Sequence, residues 1–122
     1  MTELASTMTP REIASQAAQA ISVLTELAHA KGELSHPGDV RAIVGSLELI
    51  GLGLPQLCEQ LARFLVIQHE DGQLEETGLN TDDLVTEVIE ALAAAGQAAD
   101  MMAAALTEAR AASQILTPPK TR

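Results

Sequence analysis

The chain has 122 residues, the size of one ordinary domain, and contains no Trp, no Tyr and a single Phe. Because β-sheets favour aromatic and β-branched side chains whereas Ala and Leu favour helices, this composition predicts an all-α protein and argues against a β-sandwich. The formal net charge of −10 argues against direct binding to nucleic acid and against adhesion to anionic membranes, since both present negative phosphate groups.

The cysteine content and the N-terminus bear on the compartment. Cys58 stands alone, so no intramolecular disulfide can form, and a reducing compartment fits best. The first residues, MTELASTMTPRE, include acidic side chains and lack the apolar segment of a secretory signal. We therefore expect a cytoplasmic protein in which residues 1–8 form a flexible tail.

The first predicted helix has clear start and stop signals. Thr9 and Glu12 have the spacing of a capping box, and a proline occupies the first helical position between them. Apolar residues then recur at helical spacing until Lys31 and Gly32, which are typical of a helix end. These signals predict a helix over about 10–31.

A second helix is predicted over about 38–70, although its centre reads LIGLGLPQL, in which two glycines and Pro55 disfavour a helix interior. Large apolar residues nevertheless alternate at spacings of three and four without slipping at the proline. They are Val40, Ile43, Leu47, Ile50, Leu54, Leu57, Leu61 and Phe64. The preserved phase predicts one helix kinked at Gly51–Pro55, and the alternative is a break there that makes a bundle of four helices.

A third helix is predicted over 81–116, capped by Asn80 or Thr81, after a loop of about ten residues that exceeds a typical bundle connection. Its apolar positions also alternate at three and four. They are Val85, Val88, Leu92, Ala95, Ala99, Met102, Leu106, Ala109, Ser113 and Leu116. Ser113 is the one polar residue among them, and we expect its hydroxyl to bond a carbonyl one turn back. Residues 117–122 are predicted to be a C-terminal tail.

Together these elements predict an antiparallel helical bundle of three long helices in a single domain over 9–116, with the first helix on the open side of the other two. A membrane span is not expected in the second helix. Charged residues recur in it too often, at Arg41, Glu48, Glu59 and Arg63. A membrane hairpin of two half-spans is not expected either, because both glutamates would lie near its tip or arms without evident partners.

Two surfaces are predicted to bind other proteins. Apolar residues that point away from the predicted contact face indicate a homodimer or higher oligomer. The predicted interface consists of Leu49, Leu52, Gly53, Val66 and Ile67. An acidic stretch within 70–90 is predicted to bind a basic protein partner, and the alternative is a solvated loop and helix start. The predicted partner-binding residues are Glu70, Asp71, Glu75, Glu76, Asp82 and Asp83.

No catalytic, cofactor or metal site is predicted. His29, His36 and His69 lack the spacing of metal ligands, and no nucleophile or phosphate-binding motif is present. We therefore expect a non-enzymatic helical interaction, scaffold or regulatory protein that self-associates and binds a protein partner. The alternative is a helical sensor or enzyme that binds a small molecule or metal. Its pocket would lie near Cys58, Phe64, Met101 and Met102.

Overall fold

The computed structural model describes residues 7–30, 32–74 and 80–116. Within these ranges the chain forms three α-helices and no strand. The helices are α1 (Pro10–His29), α2 (Pro37–Glu70) and α3 (Thr81–Ser113). The prediction of an all-α helical bundle is confirmed, with α2 and α3 packed against each other. The helices α1 and α3 end slightly earlier than predicted, at His29 and Ser113.

The chain divides into two compact units, Met1–His36 and Pro37–Arg122. The predictions of a single domain over 9–116, and of a first helix on the open side of the other two, therefore stay predictions. The predicted C-terminal tail and most of the predicted N-terminal tail lie outside the described residues.

Helix α1 begins with the predicted capping box. The backbone N–H of Glu12 donates to Thr9 Oγ1 at a distance of 3.1 Å, and the backbone N–H of Thr9 donates to Glu12 Oε1 at a distance of 2.9 Å. These two bonds satisfy donors that the first helical turn would otherwise leave unpaired. Beyond the helix, Gly32 has a φ of 90°, a conformation that glycine adopts without steric cost.

Helix α2 runs unbroken for 34 residues and includes Pro55. The alternative of a break into four helices is therefore wrong, and the preserved apolar phase correctly predicted one helix. Proline removes one backbone donor and its ring crowds the preceding turn, but the helical turns on either side can keep their own hydrogen bonds, and here the helix continues through it. The predicted kink stays a prediction.

Helix α3 has the caps expected from its sequence. Asn80 caps the N-terminus, where its side chain accepts from the backbone N–H of Asp82 over 2.8 Å. Near the other end the Ser113 hydroxyl donates to the Arg110 carbonyl over 2.8 Å, as predicted. Glu48 of α2 bonds Arg110 near the end of α3, and His69 near the end of α2 contacts Asp82 at the start of α3, so the two helices pack as an antiparallel hairpin.

Candidate interaction surface

The contact between α2 and α3 is built from small residues. A Cβ added at Gly51 would lie 3.2 Å from the Cβ of Ala103, and one added at Gly96 would lie 3.5 Å from the Cα of Pro55. At Gly51 the added Cβ would be closer than an ordinary van der Waals contact, whereas at Gly96 it would make an ordinary contact, so of these two points the helices leave less room at Gly51.

We call this contact the seam and define it by the residues at its centre, all buried or half-buried. From α2 they are Val44, Glu48, Gly51, Pro55, Cys58, Ala62 and Leu65. From α3 they are Val85, Ile89, Leu92, Gly96, Ala99, Ala103, Leu106, Arg110 and Ser113. The spacing along each helix alternates between three and four, as in other packed helices.

The predicted contact face of α2 is wrong by one position. The predicted residues precede the seam residues along the chain, and five of the eight are exposed, with Leu57 47% and Phe64 58% exposed. The other three, Ile43, Leu47 and Leu54, are half-buried beside the seam. The physical reason is that small residues allow a closer approach of the two backbones than the large apolar residues beside them.

On α3 the predicted contact face is right at every second position. Val85, Leu92, Ala99, Leu106 and Ser113 belong to the seam. The intervening predicted residues are exposed instead, and the seam contains the residue that follows each of them. The exposed residues are Val88, Ala95, Met102 and Ala109. Leu116, the last predicted position, lies beyond the end of α3 and is 61% exposed.

One charged cluster lies within the seam. Glu48 is 9% exposed. Its carboxylate accepts hydrogen bonds from Arg110 Nε and from Thr107 Oγ1, each at a distance of 2.5 Å. The hydrogen bond from Arg110, followed by that from Thr107, lowers the pKa of Glu48 below its ordinary 4.5, whereas burial acts in the opposite direction. The same hydrogen bond raises the pKa of Arg110. The cluster is thus an ion pair between the helices.

This ion pair corrects the argument against a membrane hairpin of two half-spans. That argument treated Glu48 as unpartnered, but Arg110 and Thr107 satisfy its carboxylate. Helices α2 and α3 each contain a window long and apolar enough to cross a membrane, with mean hydropathies of 1.3 and 1.2. Length and composition alone do not separate a span from an apolar helix that packs in water.

The hairpin has two different sides, one along each edge of the seam. A helix turns by about 100° per residue, so the residue before each seam residue lies along one edge and the residue after it along the other. Met102, which precedes Ala103, approaches Gly51 from the first edge. Glu59 and Asp100, which follow seam residues, line one groove along the second edge.

We call the first of these sides the apolar side. From α2 it contains Val40, Ile43, Leu47, Ile50, Leu54, Leu57, Leu61 and Phe64. From α3 it contains Val88, Ala91, Ala95, Ala98, Met102, Ala105, Ala109 and Ala112. Every one of these residues is apolar, those of α2 are large, and most of those of α3 are alanine. The apolar side is thus a continuous uncharged surface, with large side chains on α2 and mostly small ones on α3.

We call the second side the charged side. From α2 it contains Leu49, Leu52, Gln56, Glu59, Arg63 and Val66, and from α3 it contains Glu90, Ala93, Gln97, Asp100 and Ala104. Arg63 and Glu59 form an ion pair at 3.4 Å in which both side chains are about two-thirds exposed. Leu49, Leu52 and Val66 of the predicted oligomer interface therefore lie among charged and amide side chains.

The other two residues of the predicted oligomer interface, Gly53 and Ile67, point away from α3. A Cβ added at Gly53 would meet nothing within 4 Å, and Ile67 is 48% exposed. The structure thus leaves four of the five predicted residues exposed and Val66 half-buried. Their role as an interface stays a prediction.

The predicted partner-binding residues lie in part at one end of the hairpin. Glu70 ends α2 while Asp82 and Asp83 stand in the first turn of α3, and the Nε2 of His69 contacts Asp82 Oδ1 across this end. Asp71 follows Glu70 directly and is exposed. Glu75 and Glu76 lie outside the described residues. Binding of a basic partner here stays a prediction.

The residues proposed to line a pocket do not come together. Cys58 lines a groove of about 380 Å³ on the charged side, whose lining residues include none of the other three. Phe64 belongs to the apolar side, and Met101 points away from the seam with 74% of its surface exposed. Among residues 7–30, 32–74 and 80–116, no three His, Cys, Asp or Glu side chains are grouped to hold a metal ion.

Comparison with known proteins gives no match: no protein-family model, curated protein or solved structure resembles the chain. The geometry of the hairpin therefore carries the functional argument. Sequence reasoning missed the Glu48–Arg110 pair, because the two residues become neighbours only when the antiparallel register of α2 and α3 is known.

Proposed function

We propose that the protein is a non-enzymatic interaction protein that self-associates through the apolar side of the α2–α3 hairpin. The observation that carries the proposal is the continuous uncharged surface between Val40 and Phe64, on which five of the eight α2 residues are at least 45% exposed. A soluble monomer rarely exposes a continuous apolar patch larger than a few hundred Å². This surface therefore favours a partner that covers it.

The size of the apolar side suits a dimer. The segment between Val40 and Phe64 is about 36 Å long at a rise of about 1.5 Å per residue. Two helices packed about 8–10 Å apart present a side roughly 18 Å wide. Each copy thus offers roughly 600 Å², and two copies would bury roughly 1,200 Å², which is the lower limit of stable protein interfaces.

The distribution of charge favours a second copy on the apolar side over one on the charged side. The chain carries a net charge of −10, so two copies repel each other wherever acidic surfaces meet. Contact through the charged side would bring Glu59, Glu90 and Asp100 near the same residues of the other copy. Contact through the apolar side brings no charged side chain of α2 or α3 into the centre of the interface.

A matched pair of substitutions on α2 tests the proposal. Leu57→Glu introduces a charge on the apolar side, and Leu52→Glu introduces the same charge on the charged side at a similar exposure, 47% against 59%. We expect the wild type and Leu52→Glu to sediment as dimers. Leu57→Glu should raise the dissociation constant by about tenfold or more, because an unpaired carboxylate would be buried between copies. Sedimentation equilibrium over a wide concentration range measures both.

Three outcomes would overturn the proposed surface. Dissociation by Leu52→Glu but not by Leu57→Glu would place the interface at the predicted set that includes Leu49 and Leu52. A second outcome is a wild type that stays monomeric, together with a lower free energy of unfolding for Leu57→Glu. This would mean that the apolar side is covered within one copy. Flotation of the wild type with vesicles of neutral phosphatidylcholine, lost in Leu57→Glu, would identify a lipid surface as the occupant.

A further inference from the structure

The arrangement of the two copies can be inferred from the sizes of the residues on the apolar side, and this inference rests on the proposed self-association. We infer that α2 of each copy packs on α3 of the other copy. The result is a four-helix bundle in which every helix lies between two antiparallel neighbours. The alternative arrangement packs α2 on α2 and α3 on α3.

The register of the hairpin shows which residues lie level with each other along its axis. Glu48 bonds Thr107, Gly51 meets Ala103, and Cys58 meets Gly96. Carrying this register to the apolar side places each large residue in one row of α2 level with an alanine of α3. The level pairs are Ile43 with Ala112, Ile50 with Ala105, Leu57 with Ala98 and Phe64 with Ala91.

Symmetry then converts these level pairs into contacts between copies. A two-fold axis parallel to the helices keeps every residue at its level and places α2 of one copy over α3 of the other. Each large side chain of this row of α2 then faces an alanine of the partner. Large residues that face small ones fill the space between two helices without voids or overlap.

A two-fold axis perpendicular to the helices gives a poorer fit. It would bring the Leu, Ile, Val and Phe side chains of the two α2 helices into contact. The bulk of these side chains would keep the two α2 backbones far apart. The alanine-rich faces of the two α3 helices would then be too far apart to touch, which leaves a void. The asymmetry between α2 and α3 on the apolar side therefore favours the arrangement with α2 on α3.

Disulfide trapping distinguishes the two arrangements. In a Cys58→Ala background, we would compare Leu57→Cys alone, Ala98→Cys alone and the double variant under mild oxidation. With α2 on α3, positions 57 and 98 of different copies face each other. Two copies of position 57 lie on diagonal helices, farther apart than the roughly 7 Å that a disulfide can span between Cα atoms. The double variant should form a covalent dimer. Each single variant should run as a single chain after the same oxidation, with no cross-linked dimer.

A substitution that enlarges an alanine gives an independent test. Ala98→Leu adds apolar surface, yet in the inferred arrangement it overfills the space opposite Leu57 of the other copy. It should raise the dissociation constant by about tenfold or more. Ala104→Leu makes the same change on the charged side and should leave dimerisation unaltered. Stronger association of Ala98→Leu would overturn the inferred arrangement, because loosely packed apolar surfaces associate more tightly as they grow.

The mass of the reduced proteins separates failure of this inference from failure of the proposed function. A reduced wild type that is monomeric at every concentration would contradict the proposed self-association itself. A reduced wild type that is dimeric, combined with a double variant that forms no covalent dimer or with cross-linking of Leu57→Cys to itself, would retain self-association and overturn the α2-on-α3 arrangement.

Discussion

The seam and the apolar side are neighbouring surfaces of the same two helices, and they differ in the size of their residues. In the seam Gly51 packs against Ala103, and Gly96 packs against Pro55. Along the apolar side of α2 stand only Val, Ile, Leu and Phe. The helices therefore meet through small residues at these two points, and the largest apolar residues remain available for contact beyond the hairpin.

This difference shows two ways of stabilising a helix pair. Small residues bring backbones together, so that many weak dispersion contacts form over a short distance. Large residues instead remove apolar area from water, at about 25 cal/mol per Å² covered, and they do so equally well against a second copy. The seam also contains the Glu48–Arg110 ion pair, which fixes one register, whereas the apolar side contains no charge.

The largest effect is expected where the seam is tightest. Gly51→Leu should destabilise the protein by about 1–3 kcal/mol, because even a Cβ there lies 3.1 Å from Met102 Cε and 3.2 Å from Ala103 Cβ. Gly53→Leu is the matched control two residues away. It should stabilise by up to about 0.8 kcal/mol, because Leu has the higher helix propensity and space is open. Urea unfolding followed by circular dichroism, at one protein concentration, measures both. Equal effects would contradict the close approach at Gly51.

The ion pair of the seam should matter more than the ion pair of the charged side. Arg110→Met leaves the carboxylate of Glu48 enclosed without its cation and should lower the free energy of unfolding clearly. Arg63→Met breaks the exposed pair with Glu59 and should cost about 0.5 kcal/mol or less. The double variant Glu48→Met with Arg110→Met should recover part of the loss, because no charge is left unpaired. A greater loss in Arg63→Met would reverse the comparison.

A smaller effect is expected from pH. The pKa of Glu48 in the folded protein lies below its ordinary 4.5, so the stabilisation by its ionised form is complete above that value. This stabilisation is lost as the pH falls through the lower pKa of the folded state. The stability difference between wild type and Glu48→Gln should therefore stay constant from about pH 7 to about pH 5 and shrink below about pH 4.5. Urea midpoints measure this difference, with Glu59→Gln as the control for losing one exposed carboxylate.

A difference between wild type and Glu48→Gln that grows as the pH falls would contradict the sign of the pKa shift. The same series in Leu57→Glu would show whether self-association changes the result. The carboxylate introduced at position 57 is common to both proteins of that series and cancels in their difference, so we expect the pH dependence of the seam to persist.

The sequence predicted the secondary structure well because local interactions decide it. The capping box at Thr9 and the cap at Asn80 depend on residues within one helical turn. The continuity of α2 through Pro55 followed from the unbroken apolar phase on both sides of it. Composition was sufficient to predict an all-α fold, since the chain has no Trp, no Tyr and a single Phe, while Ala and Leu are its commonest apolar residues.

The contact face of α2 could not be predicted in the same way, because two stripes with the same spacing run one residue apart along it. One stripe contains large apolar residues such as Leu57, and the other contains Gly51, Cys58 and Glu48. Apolar periodicity indicates that a stripe is packed against another surface. It does not indicate whether that surface is another helix of the same chain or a second molecule. Here the large stripe was taken for the contact with α3, whereas the small one makes that contact.

The amino-acid sequence alone determined that this protein consists of helices, where they begin, and that α2 continues through its glycines and proline. Only the tertiary structure decided which stripe of α2 faces α3, and that Glu48 meets Arg110 and Thr107. The physical reason is that helix formation depends on neighbours within one or two turns of the chain. The choice of contact face depends instead on how closely two separate backbones can approach, which is a property of both helices together.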